Sequence, residues 1–147
     1  PAKATGSIAY VFGAGGFLSF DYSYQDYSSI RFRPESDAFF TQLNSDISNS
    51  LKSVSTYRLG GEFLAGSWSF RGGYRFQESP YVNEVTLGDL TGYSVGLGYT
   101  IGNARIDVAY DWAKQEQNPA LYAGAFTNTA FIDHINTSLV ATLSFKL

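Results

Sequence analysis

Apolar and polar side chains alternate at period two in seven stretches of the chain, near residues 4–13, 17–26, 55–65, 67–77, 91–101, 104–113 and 133–147. Successive side chains of a strand point to opposite faces, so each stretch predicts a β-strand with one greasy face and one wet face. In the second, Leu18, Phe20, Tyr22 and Tyr24 share a face opposite Ser19, Asp21, Ser23 and Gln25. The fourth sets Trp68, Phe70, Gly72, Tyr74 and Phe76 against Ser69, Arg71, Gly73, Arg75 and Gln77. In the sixth, Ile106, Val108, Tyr110 and Trp112 oppose Arg105, Asp107, Ala109 and Asp111.

Turn chemistry fixes how the strands pair. A two-residue turn at Gly66-Ser67 places Phe63 opposite Phe70, Leu59 opposite Tyr74 and Tyr57 opposite Phe76, with Glu62–Arg71 and Arg58–Arg75 on the wet side. A turn at Gly102-Asn103 pairs Tyr99 with Ile106, Leu97 with Val108 and Tyr93 with Trp112, opposite Gly98–Asp107 and Ser94–Asp111. Closure of the first hairpin by Ala14-Gly15-Gly16 predicts Phe12–Leu18, Tyr10–Phe20 and Ile8–Tyr22. The connections then alternate, short at 14–16, 66–67 and 102–103 and long at 27–54, 78–90 and 114–132. Within the first long one, residues 36–52 predict an amphipathic helix, because Phe39, Phe40, Leu43, Ile47 and Leu51 recur at helical steps after Pro34-Glu35-Ser36-Asp37.

Short turns on one side and long loops on the other are the habit of transmembrane β-barrels. No run of apolar residues is long enough for a spanning helix, which leaves strands as the spanning option. With the short turns placed on the periplasmic side, Tyr22, Tyr24, Tyr57, Tyr74, Phe76, Tyr93 and Trp112 fall near the outer rim. Phe12, Trp68, Phe70 and Phe145 fall near the inner one, giving two aromatic girdles. A soluble barrel would have to fit all of these rings into one small lumen, whereas lipid accepts them. The expected fold is therefore all-β, a transmembrane antiparallel β-barrel in the outer membrane of a Gram-negative bacterium, with the lipid bilayer as its first partner.

Composition narrows the chemistry. The net charge is −3 with the cations dispersed, so there is no basic stripe for nucleic acid. The absence of cysteine excludes thiolate metal sites, disulfides and a Cys nucleophile. His134 is the single histidine, and a lipid-hydrolase reading with Asp133, Asn136 and Ser138 is disfavoured because Asp133 has the opposite parity to the other three. No enzyme activity, metal or cofactor is expected. Gly13-Ala14-Gly15-Gly16 lies between two antiparallel strands with no helix after it, and so reads as a turn rather than a phosphate cradle.

Tyr57-Arg58-Leu59-Gly60-Gly61-Glu62-Phe63, Phe70-Arg71-Gly72-Gly73-Tyr74-Arg75-Phe76, Glu78-Ser79-Pro80-Tyr81, Gly92-Tyr93-Ser94-Val95-Gly96-Leu97-Gly98-Tyr99 and the closing Leu143-Ser144-Phe145-Lys146-Leu147 resemble the C-terminal half of the FadL-type outer-membrane transport proteins. The resemblance implies a barrel of about fourteen strands, within the even counts of such barrels, with an N-terminal plug. It also implies inward movement of long-chain fatty acids or other hydrophobic compounds. The expectation is that a leader, a plug and seven further strands lie upstream of Pro1, the missing barrel half coming from the parent chain or a partner chain. A departure is the final Leu147, where such chains often end in Phe.

On this reading the wet face lines a lumen, and Arg58, Glu62, Arg71, Arg75, Arg105, Asp107 and Asp111 are its ligand-orienting candidates, with Arg58, Arg71 and Arg75 the cations available to a ligand's carboxylate. The whole set serves equally as mutually satisfied charges of a polar lumen. The apolar helical stripe of the first long loop is the candidate landing surface for a hydrophobic small-molecule ligand, or a cap on the barrel mouth. The alternative function is a small outer-membrane barrel with a structural or adhesive role carried by its extracellular loops.

Overall fold

The computed structural model describes residues 1–84, 86–117 and 132–146. All seven strands form: β1 (Lys3–Val11), β2 (Gly16–Asp26), β3 (Ser53–Ala65), β4 (Trp68–Gln77), β5 (Leu87–Ile101), β6 (Ala104–Gln117) and β7 (Ile132–Phe145). They make one antiparallel sheet in chain order, with β1 and β7 as its edges. The sheet is a meander whose edges do not pair with one another. The expected ending of β7 at Leu147, and residues 118–131 of the expected loop 114–132, lie outside the described residues.

Two hairpins have the register that their turns predict. Gly66 and Gly102 take φ of 60° and 56° at the first turn position, where only glycine is unstrained, and the strands pair as Glu62↔Arg71 and Gly98↔Asp107. The first hairpin differs by two residues. Its chain turns through Gly13–Gly15, with Phe12 N–H donating to Gly16 O at 3.0 Å, so Tyr10 faces Leu18 and Ile8 faces Phe20. A two-residue slip leaves every side chain on its face, which is why alternation alone did not specify it. Gly16 is required here: its φ is 135°, and a Cβ would run into the carbonyl of Glu62.

Strands also outlast their alternation. β5 begins at Leu87 and β6 continues to Gln117, through Lys114-Gln115-Glu116-Gln117, where both faces are polar and only the backbone ladder carries the strand. The helix α1 spans Ala38–Ser50, shorter than expected at both ends. Asp37 caps it by accepting from Phe39 N–H at 2.9 Å, satisfying one of the first-turn donors. Leu51 lies past the helix and bridges to Tyr81 instead of extending the stripe.

The two faces of the sheet differ in exposure in an unusual sense. The buried positions in the strands are Ser23, Val54, Thr56, Ser69, Gly92, Gly98 and Ala113, all on the polar face, and Gly16 at the start of β2, which lies against the backbone of Glu62 and Phe63. On the apolar face Tyr10, Leu18, Leu59, Phe63, Val95, Leu139 and Leu143 are each more than half exposed. Among the described residues, Val54 and Ala113 are the only buried hydrophobic side chains. Side chains crowd on a concave face and splay on a convex one, so the sheet curls toward its polar side. The hydrophobic effect therefore has no protein interior to act on across this surface.

The loops at the far end of the hairpins are tied down separately. Asn44 of α1 is buried and holds Phe32 by its backbone, accepting from its N–H at 2.7 Å and donating to its carbonyl at 3.0 Å. Lys52 binds Glu84 at 2.5 Å, linking the loop before β3 to the loop before β5. That hydrogen bond raises the Lys52 pKa above its ordinary 10.5. The tie therefore contributes fully below pH 10.5 and is lost as pH rises through the raised value. Both groups are partly solvated, so Glu84→Gln is expected to cost less than about 1 kcal/mol at neutral pH, the usual scale for such pairs. Urea unfolding at neutral pH and at about pH 12 checks it, the difference from wild type closing at the higher pH.

Candidate functional site: an ion-paired polar face

The charged residues singled out from the sequence all stand on the polar face, in three groups. Glu62 on β3, Arg71 on β4 and Arg105 and Asp107 on β6 form one network. Arg71 donates to Glu62 Oε1 at 2.9 Å through Nε and to Asp107 Oδ1 at 2.7 Å through Nη1. Arg105 donates to Asp107 Oδ2 at 2.9 Å and to Ser69 Oγ at 2.5 Å, and its Nη2 lies 3.7 Å from Glu62 Oε1. Two cations thus share two carboxylates, with the buried Ser69 hydroxyl closing the set.

Arg75 and Asp111 form the second group, at 3.1 Å. Arg58 is the third: it sits in register between Asp21 and Arg75, and among the described residues it makes no ion pair. The expected cross-strand pair Glu62–Arg71 is present, as is the proximity of Arg105 to Asp107.

Arg71 and Arg75 reach over a whole strand, from β4 across β5 to β6. Neighbouring strands lie about 4.8 Å apart, so a second-neighbour contact spans roughly twice that and needs a flat strand between. β5 supplies it. Its polar face reads Gly92, Ser94, Gly96, Gly98, and a Cβ on Gly98 would strike Asp107 Oδ1, Ser69 Oγ and Arg105 Nη2. A Cβ on Gly96 would sit 3.3 Å from Arg71 Cβ, and one on Gly92 would sit 2.6 Å from Arg75 Nε. These glycines and Ser69 are the residues that sequence reasoning missed. The signal was three glycines at one parity of one strand, opposite the row of greasy Tyr93, Val95 and Leu97.

On the apolar face the rings gather at two levels. Tyr22–Tyr57, Tyr57–Phe76 and Tyr93–Trp112 pack at centroid distances of 5.3, 6.4 and 4.7 Å toward the loop end. Trp68 packs on Tyr99 and Phe70 at 4.4 and 6.4 Å toward the turn end. Between them the cross-strand pair Gly61↔Gly72 floors an open hollow of about 470 Å³ walled by Leu18, Leu59, Phe63, Phe70 and Tyr74.

The helical stripe divides in two. Phe40, Leu43 and Ile47 are half-buried, with Phe40 stacked on Phe32 at 5.8 Å, whereas Phe39 stands 67% exposed. His134 faces Gln115 on the polar side, while Asp133 is held on the other side by Lys114 at 3.0 Å, so the two do not converge. Among the described residues no group of three or more His, Asp or Glu is placed to hold a metal. No helix among them is long and apolar enough to cross a membrane.

No protein-family model, no curated protein and no solved structure matches the chain.

Proposed function

We propose that this chain forms part of a membrane-spanning antiparallel barrel in a Gram-negative outer membrane, working in the uptake of hydrophobic small molecules such as long-chain fatty acids. The observation that carries the reading is the inverted sheet, whose greasy face is uncovered while its polar face is the less exposed, ion-paired one. Lipid on the convex side and water on the concave side satisfy both faces at once. Two levels of aromatic rings fit the two membrane interfaces.

The open edges support a larger barrel. A bilayer does not tolerate unpaired strand edges, so β1 and β7 need further strands. Seven strands that alternate in direction leave β1 and β7 running the same way, so antiparallel closure takes an odd number of additional strands. Seven more give the fourteen of the FadL-type proteins that the sequence resembles. In such a barrel the exposed Phe39 belongs to the extracellular loops, placed to meet a greasy ligand first, and the charges of β3 to β6 line the path.

Uptake by liposomes carrying the complete parent protein tests this. Protein-dependent entry of a long-chain fatty acid is expected. Entry no faster than into empty liposomes contradicts transport, and with intact membrane insertion it favours the structural or adhesive role.

A further inference from the structure

We propose that Arg58 and Arg75 form an anion-binding site on the polar face, seating one compact oxyanion, a carboxylate or a phosphate, between their two guanidinium groups. Three observations converge on it. First, Arg58 and Arg75 are direct cross-strand partners, and like charges placed directly opposite repel. Among the described residues their neutralisation is incomplete: Asp111 takes a single Nη of Arg75, and Asp21, the partner of Arg58 on β2, makes no ion pair with it. This contrasts with the network around Arg71 one level further in, where two carboxylates balance two cations.

Second, Arg75 Nε is buried and has no hydrogen-bond partner among the described residues, so this guanidinium falls short of its donor complement. Third, the two arginines open onto a cleft of about 320 Å³ that has no carboxylate in its lining. The cleft lies over Ala113, beside the side-chain-free Gly92, and is bordered by Gln115 and His134, and by Gln77 and Asn136, whose amides add neutral donors. Lys114, also at its border, is already paired with Glu116 and Asp133. A planar or tetrahedral oxyanion bridging the two guanidinium groups relieves the repulsion and engages the outer donors that no carboxylate occupies.

The placement of this site along a solute's path rests on the transport reading, but anion binding itself does not. The experiment therefore reads binding directly. The complete parent protein in detergent at low salt is titrated calorimetrically with inorganic phosphate and, separately, with hexanoate. Saturable binding is expected, weakened by about tenfold or more in Arg58→Gln, since a charge-assisted bidentate contact is lost. Lys146→Gln, the same charge change just past the end of β7, is expected to leave it within about twofold.

Tighter binding of phosphate assigns the site to a free oxyanion, and tighter binding of hexanoate to the head of an amphiphile. A second readout separates binding from scaffolding. Without anion, the unfolding midpoint of Arg58→Gln is expected to equal or exceed that of wild type, because a repulsive pair has gone. No saturable heat with either anion, binding unchanged in Arg58→Gln, or a parallel loss of binding and stability in that variant would overturn the proposal.

Discussion

Val108→Arg is expected to destabilise the membrane-inserted protein by about 2–4 kcal/mol, while Ala109→Arg, one residue along the same strand, leaves it intact. The two positions share β6, its ladder and its depth, and differ in the face they present. Val108 pairs with Leu97 and Ala141 on the greasy side and is 42% exposed to whatever covers that side. Ala109 pairs with Gly96 and Val140 on the polar side, near the carboxylates of Asp107 and Asp111. An arginine facing hydrocarbon near the middle of a bilayer costs about 2–4 kcal/mol, whereas a lumen-facing one remains hydrated. Folding of the two variants into lipid vesicles, followed by the heat-resistant migration typical of folded barrels and by urea unfolding, checks the contrast. Equal tolerance of both would place neither face against lipid.

Gly98→Leu is the second large effect. The side chain would have to occupy the space where Asp107, Ser69 and Arg105 meet, and Gly98 itself is buried. Displacing Arg105 and Asp107 leaves Arg71 with one carboxylate and the buried Ser69 hydroxyl with none of its donor. Unpairing the buried Ser69 hydroxyl costs about 1–3 kcal/mol, and the partly solvated ion pairs add about 1 kcal/mol or less, so a total loss of roughly 2–3 kcal/mol is expected. Gly96→Ala, whose Cβ would meet the aliphatic part of Arg71 at 3.3 Å and the Val108 carbonyl at an ordinary 3.6 Å, is expected to cost less than about 1 kcal/mol. The paired variants, measured by equilibrium unfolding, separate loss of the network from the general cost of altering a strand glycine. A Gly98→Leu protein as stable as Gly96→Ala would mean that the network contributes nothing.

The strands were legible because alternation repeats in every one of them, and the two Gly-first turns set their registers to the residue. The first hairpin was not, since Phe12–Gly16 offers several turn lengths and a slip of two residues keeps Tyr10, Leu18 and Phe20 on the same face. The helix was legible from its stripe, but Leu51 matched the period without belonging to it: the Lys52 N–H donates to Pro80 O at 2.8 Å and draws the chain into extended form beside Tyr81.

The candidate site was half visible. Nearest-neighbour pairing follows from register, which gave Glu62–Arg71. Contacts from Arg71 to Asp107 and from Arg75 to Asp111 join second neighbours, and these depend on how far the sheet curls and on Gly92, Gly96 and Gly98 clearing the way. The chain pattern also could not state which arginine is left over. Register opposes Arg71 to Glu62 and Arg58 to Arg75, but only the ion-pair geometry shows that Arg75 reaches Asp111 while Arg58 has no ion pair among the described residues.

The central claim is that lipid, rather than protein, covers the greasy face. The 147 residues hold no cysteine, so single cysteines at Val95, Val108, Tyr110 and Leu139 on one face and at Ser94, Ala109 and Ser138 on the other serve as labelling sites, any cysteine elsewhere in the protein being replaced by serine. Spin labels at these positions in the complete protein, reconstituted in bilayers, report collisions with oxygen dissolved in lipid and with a water-soluble nickel complex. The account predicts oxygen-dominated collisions for the first set and nickel-dominated collisions for the second, alternating residue by residue along β6. Labels of the first set shielded from both reagents would place that face in a protein interior and contradict it.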